Sequence, residues 1–268
     1  MSKSIRIGAL ISGGGTNLQA IIDSCDAGNI QGKVVFVGSD NPEARGLEKA
    51  RKHWADCFVV DYAEIFQGFK KNPTGFKLPP DFNADEIISK QHLFPAGTDT
   101  QKLKAFFASR AIAEAKLLHE IQSREFDLLI LAGFMRILTP YFIDRVNLDP
   151  GLPRIMNIHP ALLPAFPGTD GYGDTFRYGC KVGGCTVHFV DYGEDSGPII
   201  GQKAYDIYPQ DTLDSIKKRG LALEWELYPK CIRLFQQGRL QTAKIKHTRA
   251  NGQETTKTVV KILPLKRP

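Results

Sequence analysis

Three short segments carry residue types that could do chemistry. The first is Asn157-Ile158-His159-Pro160, which directly follows an apolar run. In an extended strand side chains alternate, so Asn157 and His159 point to one side. An amide donor beside an imidazole can hold a developing oxyanion and handle a proton. The plainer reading is that both side chains pair with local backbone at a strand end. The second segment is Asp191-Tyr192-Gly193-Glu194-Asp195-Ser196-Gly197-Pro198. It reads first as a turn, and also as a loop whose carboxylate could orient an imidazole and raise its pKa. His188, in the middle of the preceding run, reads as a packed histidine.

The third segment is Ser12-Gly13-Gly14-Gly15-Thr16-Asn17-Leu18. Glycines let a backbone approach a ligand, and the N-terminus of a following helix offers free N–H groups and partial positive charge, together a phosphate site. A plain glycine turn remains the alternative. The loop lacks the Gly-Lys-Ser/Thr of a P-loop, and Leu18 stands where the third glycine of a dinucleotide-binding turn would be.

These segments lie between elements that must position them. Ile5 to Ile11, Lys33 to Gly38, Cys57 to Val60, Asp127 to Ala132 and Arg154 to Ile158 are short apolar runs. Helical spacing is expected over Thr16 to Ala27, Pro42 to His53 and Gln101 to Arg124. Apolar strands alternating with helices predict a doubly wound, mostly parallel α/β sheet, with ligands beyond the carboxyl ends of the strands. Cys185 to Asp191 and Pro198 to Ile207 read as further strands, Asp211 to Gln237 as one long helix, and Thr242 to Leu263 as a hairpin turning at Asn251-Gly252. Tyr62 to Thr100 holds Pro73, Pro79, Pro80 and Pro95, and reads as an irregular insertion with a short helix near Ala84–Lys90. Its phenylalanines at 66, 69, 76, 82 and 94 require burial, either on the domain or across a dimer contact. Covering surface is the expected role. The organisation expected is one domain over 1–240, with the insertion at 62–100 and a basic hairpin extension over 241–268.

Composition narrows the classes. The 268 residues carry 42% hydrophobic and 10% aromatic residues, which excludes wholesale disorder. No apolar run reaches the roughly 18 residues of a membrane span. The N-terminus shows no secretory h-region, which predicts a cytoplasmic protein. Cysteines 25, 57, 180, 185 and 231 are odd in number and form no CxxC, which fits reduced thiols and no metal site. The net charge is +6, and residues 239–268 hold eight Lys/Arg against one Glu, so the tail carries the excess. A solvated basic hairpin is expected, with no nucleic-acid partner, because no aromatic stacking pattern accompanies the charge.

Together the segments resemble the phosphoribosylglycinamide formyltransferases, folate-dependent enzymes of purine biosynthesis. The matching text is ISGGGTNLQAIID (11–23), LAGFMRILTP (131–140), MNIHPALLPAFPG (156–168), GCTVHFVDYGEDSGPII (184–200) and, more loosely, LEWELYP (223–229). The resemblance implies transfer of a formyl group from the co-substrate 10-formyltetrahydrofolate to the amine of glycinamide ribonucleotide, with no metal. It implies small-molecule substrates only, in a monomer or homodimer. Asn157, His159 and Asp195 match the catalytic three. Gly15, Thr16, Asn17 and Glu224 match substrate-holding positions. Arg110, Met135, Arg136, Ile137, Leu138, Asn157, Asp191 and Asp195 match folate-contacting ones. The chain differs from the family pattern in the insertion, in the tail, in Trp225 where relatives often have His, in Gly220 and Leu221 near Glu224, and in Gly168-Thr169-Asp170-Gly171-Tyr172-Gly173-Asp174 where many relatives carry histidines. Related folate enzymes differ more. The hydrolases usually add an N-terminal regulatory domain, the methionyl-tRNA formyltransferases add a C-terminal domain, and the sugar formyltransferases lack the SGGGTN loop. A nicotinamide oxidoreductase is disfavoured by Leu18, and a catalytically dead binding module by the intact Asn157, His159 and Asp195.

Overall fold

The computed structural model describes residues 4–149, 151–248 and 252–265. In chain order the first elements are strand β1 (Ile5–Ile11), helix α1 (Thr16–Asp26), β2 (Gly32–Ser39), α2 (Gly46–Lys52) and β3 (Asp56–Val59). Then come α3 (Tyr62–Lys71), α4 (Ala84–Lys90), α5 (Thr100–Gln122), β4 (Leu128–Leu131), α6 (Pro140–Val146), β5 (Ile155–His159) and α7 (Gly171–Arg177). The chain closes with β6 (Val182–Phe189), β7 (Ile199–Asp206), α8 (Leu213–Gln236), β8 (Leu240–Thr248) and β9 (Glu254–Ile262).

The main sheet has the order β3-β2-β1-β4-β5-β6-β7. Pairing is parallel from β3 across to β5, whereas β5–β6 and β6–β7 are antiparallel. The chain winds outward from β1 to β3, then returns to place β4 on the other side of β1. That reversal opens a crevice at the carboxyl ends of β1 and β4, where ligands bind in such sheets. The alternation of β4 shows why both faces are covered. Leu128 and Ile130 pack into the core shared with α1 and α8, while Leu129 and Leu131 pack into the one under α5 and α6. Buried on both sides, such strands must be apolar throughout.

Three expectations change in detail. The helix expected from Pro42 begins only at Gly46, because Asn41 holds the preceding residues in a turn: its Oδ1 accepts from Glu43 N at 3.0 Å and its carbonyl from Ala44 N. The 62–100 segment is not irregular from its start. Asp61 caps α3 by accepting from Glu64 N at 2.9 Å, and the prolines come only after this helix. Two seven-residue helices, α6 and α7, lie outside the elements that the sequence pattern predicts; Pro140 opens the first at a position where a missing N–H costs nothing. The five phenylalanines of the insertion pack against the core under α5 and α6. The hairpin lies on β8 and β9, anchored by buried Leu240. Asn251, named for its turn, lies outside the described residues.

Candidate active site

The loop after β1 is built on glycine. Gly15 precedes α1 at φ +64°, and a Cβ there would stand 2.8 Å from the Gly46 Cα. Only glycine accepts both the left-handed backbone and that approach. Gly13, Gly14 and Thr16 are exposed. The Lys49 ammonium stands 3.4 Å from the Gly15 carbonyl, a cation beside the loop that the motif did not include. Ser12 joins this loop to the turn after β4: its N–H donates to the Gly133 carbonyl at 3.0 Å, and its hydroxyl accepts from Met135 N at 2.7 Å.

Between them lies a cleft of about 310 Å³. Its wall includes Asn17, the turn Gly133–Leu138, Asn157, His159, His188, Asp191, Asp195 and Glu224. Asp195 is the hub. Its Oδ2 lies 3.1 Å from His159 Nδ1 and accepts from Gly168 N at 2.8 Å. Its Oδ1 accepts from Asn157 Nδ2 at 3.3 Å and lies 3.5 Å from His188 Nε2. Asp195 and Phe166 hold φ of +49° and +55°. Left-handed backbone at a non-glycine residue costs about 1–3 kcal/mol and gathers where a site dictates geometry. Here it turns the carboxylate toward both imidazoles, and the Phe166 carbonyl to within 2.7 Å of His159 Nε2.

His159 therefore faces an acceptor at each ring nitrogen, and only the imidazolium can donate to both. Burial works the other way and lowers its pKa, with the Asp195 charge and the Phe166 carbonyl opposing. Burial also raises the Asp195 carboxyl, but the His188 hydrogen bond, the His159 charge and the Gly168 N–H outweigh it, leaving it below the usual value. His188 is buried as expected, yet it is also part of the site. Opposite Asn157 on the neighbouring strand, it places Nε2 3.2 Å from Asn157 Nδ2 while Nδ1 faces the Phe189 carbonyl at 2.9 Å. That contact depends on strand register, which no local pattern contains.

At one end of the cleft, Glu224 is buried on α8. Its Oε2 accepts from Asn17 Nδ2 at 2.6 Å and its Oε1 from the Tyr172 hydroxyl. Burial raises its pKa, and these two donors oppose the rise. Trp225 does not line the cleft. At the other end, Met135 and Ile137 are exposed on the turn, and Leu138 is buried. The Arg136 guanidinium pairs with buried Asp40. Thr139, which ends the turn, donates from N at 2.7 Å and from Oγ1 at 2.5 Å to Glu114, whose carboxyl burial pushes up to about 8. Asp191 ties its own loop, accepting from Gly193 N at 3.1 Å and Ser196 Oγ at 2.6 Å. Arg110 does not line the cleft. It stacks over Phe106 at 3.5 Å and Phe66 at 4.6 Å, with its pKa lowered to about 10 by burial. The insertion reaches the same loop, since His92 N donates to the Tyr192 carbonyl at 2.9 Å. Among the described residues no cluster of three His, Cys, Asp or Glu side chains is arranged to hold a metal. None of the described helices is long and apolar enough to cross a membrane.

A glycine loop and an Asn-His-Asp cluster at the switch point of this sheet define a class, and residues 5–232 match the Formyl transferase family. The chain belongs to that family, and to its phosphoribosylglycinamide formyltransferase branch. It is 34% identical over 238 residues to the phosphoribosylglycinamide formyltransferase of Escherichia coli K12, covering 88% of this chain and 90% of that one. The Haemophilus influenzae enzyme of the same name is 32% identical, covering 88% and 89%. The crystal structure of glycinamide ribonucleotide transformylase 1 from Symbiobacterium toebii superposes with a TM-score of 0.69 at 37% identity, covering 97% of this chain and 95% of that one.

Proposed function

We propose that this formyl transferase moves the formyl group of 10-formyltetrahydrofolate to the amine of glycinamide ribonucleotide, in de novo purine biosynthesis. The observation that carries the reading is the meeting of Asn157 and His159 at Asp195, in a cleft whose wall also holds Asn17, Glu224 and the Met135 turn. The Met135–Leu138 turn and the Asp191–Asp195 loop hold the folate; Arg110, stacked on Phe106 outside the cleft wall, is given no contact with it. The Gly15–Asn17 loop holds the ribonucleotide phosphate, and Glu224 the neighbouring polar groups.

In this mechanism the substrate amine attacks the formyl carbon, and the carbonyl electron pair moves onto oxygen. An Asn157 N–H donates to that oxyanion, as does the His159 imidazolium, which gives up one of its two contacts, with Asp195 or with the Phe166 carbonyl, to do so. Asn157 Nδ2 already faces Asp195 and His188, so it redirects one donation as the oxyanion forms. Asp195 stabilises the imidazolium and passes the amine proton through water toward the leaving nitrogen. Collapse of the intermediate breaks the carbon–nitrogen bond to the folate and releases formylated ribonucleotide and tetrahydrofolate.

The test is conversion of 10-formyltetrahydrofolate with and without glycinamide ribonucleotide. Turnover that requires the ribonucleotide and yields formylated product is expected. Equal turnover without it would make the protein a hydrolase, and no turnover with it would end the proposal.

A further inference from the structure

The segment Gly168–Asp174 places a tyrosine where it touches Glu224 in the cleft wall. Tyr172 is buried on α7, and its hydroxyl donates to Glu224 Oε1 while Asn17 Nδ2 donates to Oε2. Both oxygens of one carboxylate are thus held, by donors from two different helices. The ring occupies space that Gly220 leaves open: a Cβ on Gly220 would lie 2.3 Å from the Tyr172 Cε1 and 2.5 Å from its hydroxyl. Gly220 and Glu224 are four residues apart, on one face of α8. The tyrosine and the glycine are therefore a matched pair, and the gap made by one is filled by the other. Gly171 lets α7 come this close, since a Cβ there would meet the Pro160 carbonyl at 2.9 Å and His159 Nε2 at 3.1 Å.

The consequence appears on Asn17. With Nδ2 committed to Glu224, its Oδ1 is buried in the cleft wall with no hydrogen-bond partner among the described residues. A buried acceptor without a donor is costly, and such a group is retained where a ligand supplies the donor.

We propose that Tyr172 is a positioning residue for the ribonucleotide: it locks the Glu224 carboxylate, and through it the Asn17 amide, so that Asn17 Oδ1 and Glu224 together accept from the N–H and O–H groups of the substrate. This rests on the reading of the Glu224 end as the ribonucleotide site. Tyr172 acts through Glu224 and takes no part in the formyl chemistry.

The test is a double-mutant cycle read by calorimetry, with glycinamide ribonucleotide and a 10-formylfolate analogue titrated separately, and by melting temperature. Tyr172→Phe keeps the ring and removes the donor. It should weaken ribonucleotide binding about tenfold, the range for a lost hydrogen bond to a charged group. Affinity for the folate analogue should stay unchanged, and turnover at saturating ribonucleotide should stay within about threefold. In a Glu224→Gln background the same change should cost less than about twofold, because the partner it acts through has been neutralised. Gly220→Ala keeps the hydroxyl but displaces the ring, and should give the same ribonucleotide-only loss. Unchanged ribonucleotide affinity in Tyr172→Phe or in Gly220→Ala, or a full tenfold loss surviving in the Glu224→Gln background, would overturn the inference. Loss of both ligands with a lowered melting temperature would make Tyr172 a packing residue and overturn it equally. A wild-type chain that binds no ribonucleotide would overturn the functional reading as well.

Discussion

The two ends of the cleft are held by opposite means. At the Glu224 end the wall consists of polar side chains from three helices, α1, α7 and α8, buried against one another with their hydrogen bonds mostly internal. At the Met135 end it is a turn whose side chains at Met135 and Ile137 are exposed at the cleft wall, and whose shape is imposed from outside by Ser12, Asp40 and Glu114. Side-chain walls recognise compact polar groups and are sensitive at the recognising residue. A turn shaped by outside hydrogen bonds is sensitive at its supports.

The sharpest test lies between the ends. His159→Ala should lower turnover by about two orders of magnitude or more, the range for lost oxyanion donors, with both ligands still bound. Turnover near that of the wild type would take His159 out of the mechanism. At the side-chain end, Gly15→Val meets Gly46 at 2.8 Å in a left-handed backbone, and should weaken the ribonucleotide at least about tenfold while sparing the folate analogue. Equal loss of both ligands would erase the contrast and indicate a folding defect.

Asp195→Asn probes the hub. The carboxylate opposes the lowering of the His159 pKa, so its removal lowers that pKa further. Turnover should fall, and the limb of the pH–rate profile that reports His159 should move to lower pH. An unmoved limb would mean that Asp195 does not tune the imidazole.

The supports of the Met135 end answer to smaller changes. Buried Glu114 has a folded pKa near 8 against an ordinary 4.5. Its native state holds a proton that the unfolded state has lost between those values, so the stabilisation is complete below about 4.5 and disappears as pH rises through about 8. Glu114→Gln is neutral throughout, and its melting temperature should decline less than that of the wild type between about pH 5 and 8. Parallel declines would show that Glu114 is ionised in the fold. The smallest effect is expected at Lys90, which bonds Asp144 at 2.8 Å where Asp144 also accepts from the Tyr192 hydroxyl. Lys90→Ala should raise KM for 10-formyltetrahydrofolate by no more than about threefold, as suits a half-exposed ion pair. A rise of tenfold would make the insertion a main support of the folate loop.

The sequence by itself determined the strand–helix alternation and the glycine turn, because both are written in local periodicity and in backbone freedom that only glycine has. It also placed Asn157 and His159 on one side of a strand, since the period of two needs no partner. Family resemblance supplied Asp195 and Glu224. The tertiary structure decided what local patterns cannot contain. The antiparallel register of β6 on β5 turned His188 from a packed residue into a neighbour of Asn157 and Asp195. The early helix of the insertion was masked by the prolines that follow it, and its phenylalanines found their core only across the chain under α5 and α6. Tyr172 meets Glu224 across 52 residues of chain and Asn17 meets it across 207. Contacts at that separation depend on where whole helices settle against the sheet, and packing in three dimensions sets that position rather than the order of residues along any one segment.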